Sequence, residues 1–126
     1  MDSSFLIDLL NEIAEDKVGP AFNWLKRNST AALWITPVTV AEVLEGADDP
    51  IAVKAYLGRY LWQGIHPVHA YKAALRQRRA PRRMGENDAW QVAIAETMSA
   101  VLVGHDTAFS RLGEGYEDHR RVSATS

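Results

Sequence analysis

Apolar residues recur at helical spacing at the start of the chain. Between residues 4 and 16 they fall three or four positions apart, at Phe5, Leu6, Leu9, Leu10, Ile13 and Ala14. Ser3 or Ser4 can cap this predicted helix, because a serine hydroxyl accepts a hydrogen bond from a first-turn amide. Gly19 and Pro20 interrupt the pattern, and Pro20 is well placed to begin a second, short helix that ends near Asn28.

The middle of the chain alternates short apolar segments with helical patterns. Residues 32–36 have turn-forming residues before them and Pro37 after them, as expected of a buried parallel strand. Residues 39–45 are predicted to form a helix that Gly46 ends, and residues 50–62 another. Residues 66–68 predict a very short strand, and residues 70–79 a helix that leads into an arginine-rich loop around Pro81.

The last third contains a strongly apolar helical pattern. It predicts a helix over residues 88–98, a buried strand over 101–103 and a short helix over 107–112, with no assignment after Gly113. Parallel strands need crossover connections, and helices in those connections cover both faces of the sheet. The predicted fold class is therefore α/β, with three α/β/α layers around a mainly parallel sheet. Residues 1–126 are expected to form one domain, because the length suits a single core.

The composition excludes several kinds of chemistry. The chain has no cysteine, so disulfides, thiolate metal sites and cysteine nucleophiles are excluded. No apolar run approaches the roughly 18 residues of a transmembrane helix, and no basic region precedes the first apolar stretch as in a signal peptide. A cytoplasmic location is expected.

Four acidic residues lie at or near predicted helix starts: Asp2, Glu42, Asp88 and Asp106. Each has an ordinary structural explanation. The segments from Thr39 to Glu42 and from Asp88 to Gln91 match capping boxes, with Thr39 and Asp88 as the N-caps. Asp106 could cap the turn that follows it, and Asp2 could stabilise the first helix through its dipole.

Taken together, the same acids predict a metal site. In a parallel sheet the strand-to-helix connections share the carboxyl edge, where such folds bind ligands. Glu42 and Asp106 each follow a predicted strand and Asp2 precedes the first helix, whereas Asp88 follows no clear strand and is placed less directly. Grouped carboxylates repel each other unless a cation compensates them, and oxygen ligands suit Mg²⁺ or Mn²⁺. Such ions can activate water for phosphodiester hydrolysis.

Four sequence blocks in this order resemble the PIN-domain ribonucleases, particularly the VapC-like toxins of toxin–antitoxin modules. They are residues 2–8 (DSSFLID), 36–46 (TPVTVAEVLEG), 87–95 (NDAWQVAIA) and 102–109 (LVGHDTAF). The resemblance implies a PIN-like fold, RNA cleavage, a homodimer and a cognate antitoxin. It also implies metal-binding and catalytic roles for Asp2, Glu42, Asp88 and Asp106, with Ser4 in support. Asn87 adjoins Asp88 and is a second supporting candidate, although helix initiation explains it more simply.

Two positions depart from the family's pattern. The family places a short apolar strand before its first aspartate, but only Met1 precedes Asp2 in this sequence. The first strand is therefore expected to be nearly absent, and a mis-assigned start codon would explain this. Gly104 stands where the family commonly has a hydroxyl residue, so a hydrogen bond that supports the metal ligands is expected to be missing.

Charge is unevenly distributed along the chain. The net charge is −2, yet five arginines fall within one short segment: Arg76, Arg78, Arg79, Arg82 and Arg83. Such a run is usually a solvated helix end, but a basic loop can also bind phosphate groups. Because the cluster directly precedes Asp88, RNA binding is favoured. Charge reversal at Arg79 and Arg82 is expected to weaken RNA binding and flatten its salt dependence.

Two other functions remain open at this stage. One is a non-catalytic PIN-like module that binds an antitoxin or RNA, with its site disabled by the short N-terminus. The other is a Mg²⁺-dependent phosphatase on a different doubly wound fold. The phosphatase fits less well, because the sequence has no Asp-x-Asp pair of the kind such enzymes often use.

Overall fold

The computed structural model describes residues 1–105 and 115–121. Asp106 and the predicted helix over residues 107–112 lie outside the described residues. The elements follow one another in the order α1 (Ser3–Ala14), α2 (Pro20–Arg27), β1 (Trp34–Ile35), α3 (Pro37–Glu45), α4 (Pro50–Leu57), β2 (Leu61–Trp62), α5 (Pro67–Arg79), α6 (Glu86–Thr97), β3 (Leu102–Gly104) and β4 (Tyr116–Asp118).

Helices α1 and α2 form where the apolar spacing predicted them. The N-cap of α1 is Asp2, whose carboxylate accepts a hydrogen bond from the Ser4 amide, so the expected serine cap is wrong. Pro20 begins α2 as predicted. Glu12 accepts hydrogen bonds from the amides of Gly19, Ala21 and Phe22 at the start of that helix. The side chain of Glu12 thus joins α1 to α2 and does not belong to a solvated face.

Helix α3 begins before the position that the capping-box pattern indicated. Thr36 is its N-cap and accepts a hydrogen bond from the Thr39 amide, so the predicted cap at Thr39 is wrong. Pro37 occupies the first helical position, where its missing N–H costs nothing. This start places Glu42 in the second turn of the helix and not at its beginning.

Two short strands differ from their predicted positions. The helix expected over residues 50–62 ends at Leu57, and Leu61 and Trp62 form β2, which pairs in parallel with β1. The strand expected over residues 66–68 is wrong, because Pro67 begins α5. The ring of His69 accepts a hydrogen bond from the backbone of His66 and so fixes that helix start.

Helix α6 begins at Glu86 with Gly85 as its N-cap. Asp88 therefore lies at the third helical position, and its predicted role as the N-cap is wrong. Strand β3 pairs in parallel with β4, a strand that the sequence pattern did not assign. Helices and parallel strands alternate along the chain, as in an α/β fold. No described helix is long and apolar enough to cross a membrane.

The main core joins helices α1, α2, α3 and α4 to the two short sheets. Its fully buried side chains include Phe5, Leu6, Leu9, Ile35 and Leu57, each at most 1% exposed. No strand precedes α1 in the described residues. In its place Met1 and Asp2 lie between the sheets: the Met1 ammonium group donates to the Trp34 carbonyl at 2.7 Å, and the Asp2 amide to the Val103 carbonyl at 2.9 Å.

Candidate active site

Asp2 is a buried carboxylate at the junction of the two sheets. Only 2% of the residue is exposed. Its Oδ2 accepts hydrogen bonds from the hydroxyl of Ser4 at 2.6 Å and from the Ser4 amide at 3.2 Å. Both donors are neutral, so they orient the carboxylate without cancelling its charge. A bound cation would fit this environment, since a buried carboxylate is costly unless a cation compensates it. The neighbouring Met1 ammonium group supplies part of that compensation, because it interacts electrostatically with Asp2.

Ser4 also connects Asp2 to the end of β3. Its hydroxyl oxygen accepts a hydrogen bond from the His105 amide at 2.8 Å. Gly104 makes this approach possible, because a Cβ at that position would lie 2.7 Å from Ser4 Oγ and 2.9 Å from Asp2 Cβ. The Ser4 hydroxyl therefore occupies the space that a hydroxyl side chain at position 104 would need, and it supplies a hydrogen bond to Asp2.

Glu42 and Asp88 lie on the packed helices α3 and α6, and both are half-buried. Between them runs a chain of buried hydrogen bonds. Gln91 accepts from the hydroxyl of Thr36 at 3.3 Å and donates to the hydroxyl of Thr39. Thr39 in turn donates to the carbonyl of Met1 at 3.3 Å.

We call this chain of hydrogen bonds the Thr36–Thr39–Gln91 network. It joins the three segments of the chain that carry Asp2, Glu42 and Asp88. Glu42 lies one turn after Thr39, Asp88 lies one turn before Gln91, and Asp2 directly follows Met1. The three polar side chains of the network are at most 7% exposed. Thr39 and Gln91 fit capping boxes in the sequence, so the local pattern does not reveal this role. Their burial between two helices depends on tertiary packing.

The described part of the chain does not by itself contain a complete metal-binding cluster. Among residues 1–105 and 115–121, no three histidine, aspartate or glutamate side chains are grouped so that they could hold an ion. Asp106, the fourth predicted ligand, lies outside those residues. The carboxylate ligands of the predicted site are all oxygen donors of the kind that Mg²⁺ and Mn²⁺ prefer.

The five clustered arginines divide between two sides of α5. Arg76, Arg79 and Arg82 line a groove of about 510 Å³ with Tyr71, which we call the Tyr71 groove. Arg76 is also paired there with Glu96. The other two arginines, Arg78 and Arg83, line a groove of about 330 Å³ with Trp90, which we call the Trp90 groove.

The Trp90 groove is the one that reaches the start of α6. Glu86, Ala89 and Trp90 line it, and these residues flank Asp88 in the sequence. Gln77 holds the arginine-rich loop in place, because its side chain accepts from the Met84 amide at 3.0 Å and donates to the Met84 carbonyl at 2.6 Å. The sequence alone did not separate the arginines into two sets.

A cluster of charged residues fastens the segment after β4 to α1. Asp8 accepts two hydrogen bonds of 2.7 Å from the guanidinium of Arg120 and lies 2.7 Å from the ring of His119. The bonds from Arg120, supported by His119, lower the pKa of Asp8 although burial opposes this. Asp8 therefore pairs with the segment after β4 and is not a solvated surface acid. His105 lies at the surface, and its Nδ1 is 3.1 Å from the carboxylate of Asp118.

Comparison with known proteins identifies the family. A profile of the PIN domain matches residues 1–115, which include all four predicted acids. No curated protein matches the chain significantly. PIN domains are generally nucleases, and they usually use divalent metal ions. The chain belongs to the PIN domain family.

Proposed function

We propose that this PIN domain is a metal-dependent endoribonuclease that hydrolyses RNA phosphodiester bonds and acts as the toxin of a type II toxin–antitoxin pair. The main support is the Thr36–Thr39–Gln91 network, which ties the backbone beside Asp2 to the helices of Glu42 and Asp88. We further propose that the protein is a cytoplasmic single domain that forms a homodimer and binds a cognate antitoxin. These partners are supported by the resemblance to VapC-like toxins.

Asp2, Glu42, Asp88 and Asp106 would hold the metal in this proposal. A bound Mg²⁺ or Mn²⁺ supplies an activated water and charge stabilisation for the displaced oxygen. The chain's own contribution is to fix the ligands. Ser4 holds the Asp2 carboxylate through two hydrogen bonds, and Asn87 adjoins Asp88 in the first turn of α6.

The Trp90 groove is the better candidate for an RNA path at the start of α6. It combines the cationic side chains of Arg78 and Arg83 with a half-buried indole, and it is lined by the same helical turns that contain Asp88. Arginine side chains neutralise phosphates, and an indole ring can stack on a base. The Tyr71 groove provides Arg76, Arg79 and Arg82 as further cationic side chains for RNA.

Cleavage of a labelled RNA pool tests the proposed activity. Purified protein is assayed with Mg²⁺, with Mn²⁺ and with a chelator, beside the variants Asp88→Asn and Asp106→Asn. Asp48→Asn is the matched control, because Asp48 is exposed and lies outside the site. We expect metal-dependent cutting that both site variants lose and the control retains. Equal cutting by the wild type and the site variants would refute the assignment of these acids.

Charge reversal in pairs tests the RNA path. Two double variants are compared by RNA binding over a salt series. One carries Arg78→Glu and Arg83→Glu, and the other carries Arg79→Glu and Arg82→Glu. Each lost phosphate contact flattens the salt slope by about 0.7 for single strands. We expect both pairs to weaken binding and the Trp90-groove pair also to lower the cleavage rate of bound RNA. Unchanged salt slopes in both pairs would contradict RNA binding by this segment.

The alternative is a non-catalytic module that binds an antitoxin or RNA. Calorimetric titration with Mn²⁺ separates the two functions. If the protein binds Mn²⁺ with a Kd in the millimolar range or tighter, and Asp88→Asn abolishes this binding, the nuclease is supported. If the protein binds RNA but neither binds the metal nor cuts RNA, the non-catalytic module is supported.

A further inference from the structure

The backbone of His105 lies between two of the carboxylates that we propose as metal ligands. Its amide donates to the Ser4 hydroxyl at 2.8 Å, and that hydroxyl donates to Asp2 Oδ2 at 2.6 Å. A hydroxyl group rotates to suit its partners, so the N–H of His105 on one side directs the Ser4 proton towards Asp2 on the other. Asp106 is the next residue along the chain. The position of His105 therefore bears on both acids.

The ring of His105 contacts a carboxylate on the last strand. Its Nδ1 lies 3.1 Å from both carboxylate oxygens of Asp118. Burial raises the pKa of Asp118, but hydrogen bonds from the Arg120 amide and from His105 outweigh burial and lower it. The carboxylate is therefore ionised at neutral pH and can only accept, so the His105 Nδ1 donates. This contact holds the ring in one orientation.

Asp118 is itself held by several contacts. It lies opposite Gly104 in the parallel pair of β3 and β4. The Arg120 amide donates to Asp118 Oδ1 at 2.9 Å. The Arg120 guanidinium in turn donates two hydrogen bonds of 2.7 Å to Asp8 on α1. Asp118 is therefore joined to the same helix whose N-cap is Asp2.

We propose that Asp118 is a positioning residue for the metal site. Through the His105 ring it fixes the His105 amide, and through that amide the Ser4 hydroxyl and the Asp2 carboxylate. This inference rests on the proposed metal-dependent activity, because it assigns Asp118 a role in the same site. The side chains of His105 and Asp118 are 43% and 18% exposed, and ion pairs at the surface contribute little to stability. Positioning therefore explains their contact better than holding the fold together.

Asp118→Ala tests the proposal against the matched control Glu117→Ala. Glu117 is the preceding residue of β4, and its carboxylate accepts from the Trp24 ring at 3.0 Å, so the control also removes a side-chain hydrogen bond but leaves His105 untouched. Calorimetric titration with Mn²⁺ measures the metal affinity. We expect the Kd to rise roughly tenfold in Asp118→Ala, as for other residues that orient metal ligands, and to stay unchanged in the control.

Asp118→Asn distinguishes positioning from charge. It keeps an oxygen that can accept from the His105 ring but removes the negative charge. We expect this variant to retain most of the Mn²⁺ affinity. A loss as large as that of Asp118→Ala would show that the charge of Asp118 acts at a distance and would overturn the positioning role.

A double-mutant cycle tests whether Asp118 acts through His105. His105→Ala removes the ring but keeps the amide that donates to Ser4. If the ring transmits the effect, Asp118→Ala should cause no further loss of Mn²⁺ affinity in the His105→Ala background. Losses of affinity that add in the double variant would refute this route.

Hydrogen exchange separates this inference from the proposed function, because it needs no metal. Exchange of the His105 amide should be about tenfold faster in Asp118→Ala than in the wild type, whereas the Leu9 amide in α1 should be unchanged. Equal exchange at His105 in both proteins would contradict the proposal. If the wild type neither binds Mn²⁺ nor cuts RNA, the proposed function fails and with it the link to the metal, while the exchange rates still show whether Asp118 fixes His105.

Discussion

Gln91→Met is the sharpest test of the Thr36–Thr39–Gln91 network. The substitution nearly conserves side-chain volume, so its packing cost stays below about 1.5 kcal/mol. It leaves the buried hydroxyl of Thr36 without its acceptor and removes the hydrogen bond donated to Thr39. A buried polar group without a partner costs about 1–3 kcal/mol. We therefore expect the free energy of unfolding to fall by about 2–3 kcal/mol.

A double-mutant cycle with Thr36→Val isolates the hydrogen bond. Thr36→Val alone costs about 2 kcal/mol, because it removes the N-cap of α3 and leaves the Gln91 carbonyl oxygen without a donor. In the double variant neither partner remains unsatisfied, so its loss should be smaller than the sum of the single losses by about 1–2 kcal/mol.

Urea unfolding at neutral pH, followed by circular dichroism, gives the four free energies. Gln63→Met is the matched control, because within the described residues that side chain bonds only to the neighbouring Gly64 carbonyl at the surface. It should change stability by less than about 0.5 kcal/mol. Single losses that add within about 0.5 kcal/mol would refute the network.

Three further outcomes follow from other contacts. The neutral ring of His69 accepts a hydrogen bond from the backbone of His66, and burial lowers the pKa of His69 below the usual 6.5. The unfolded chain therefore binds the proton more readily, so stability should fall as pH drops below 6.5, and His69→Gln should flatten the profile of Tm against pH between pH 5 and 8. The pKa of Asp8 is lowered, so its contribution to the stability of the fold is complete above pH 3.8 and lost below it. In urea unfolding, Asp8→Asn should lower the free energy of unfolding by about 1–2 kcal/mol at pH 7, and this difference from the wild type should shrink below pH 3.8. Gly104→Ala should cost about 1–3 kcal/mol in the same assay, because its Cβ would lie 2.9 Å from Asp2 Cβ; an unchanged midpoint would contradict the close approach.

The sequence by itself predicted the α/β class and the helices that rely on local patterns. Helix α1 follows from its apolar spacing, and α2 follows from Pro20 after a glycine. These features act within one or two turns, so neighbouring residues are enough to reveal them. The same local patterns located Asp2 and Asp88 near helix starts but assigned the caps wrongly, because Asp2 and not a serine caps α1, and Asp88 lies at the third position of α6.

Strand pairing and burial were decided only by the tertiary structure. Strand β2 has two residues, both exposed, and β4 has three with the polar sequence Tyr-Glu-Asp, so neither shows a hydrophobic alternation. These strands form because β1 and β3 offer unpaired backbone groups to them. The same reason applies to Gln91: its sequence neighbours fit a capping box, but packing α6 against α3 buries it beside two threonine hydroxyls. Contacts between residues more than 50 positions apart cannot be predicted from the local sequence pattern, because they form only when the chain folds and brings these residues together.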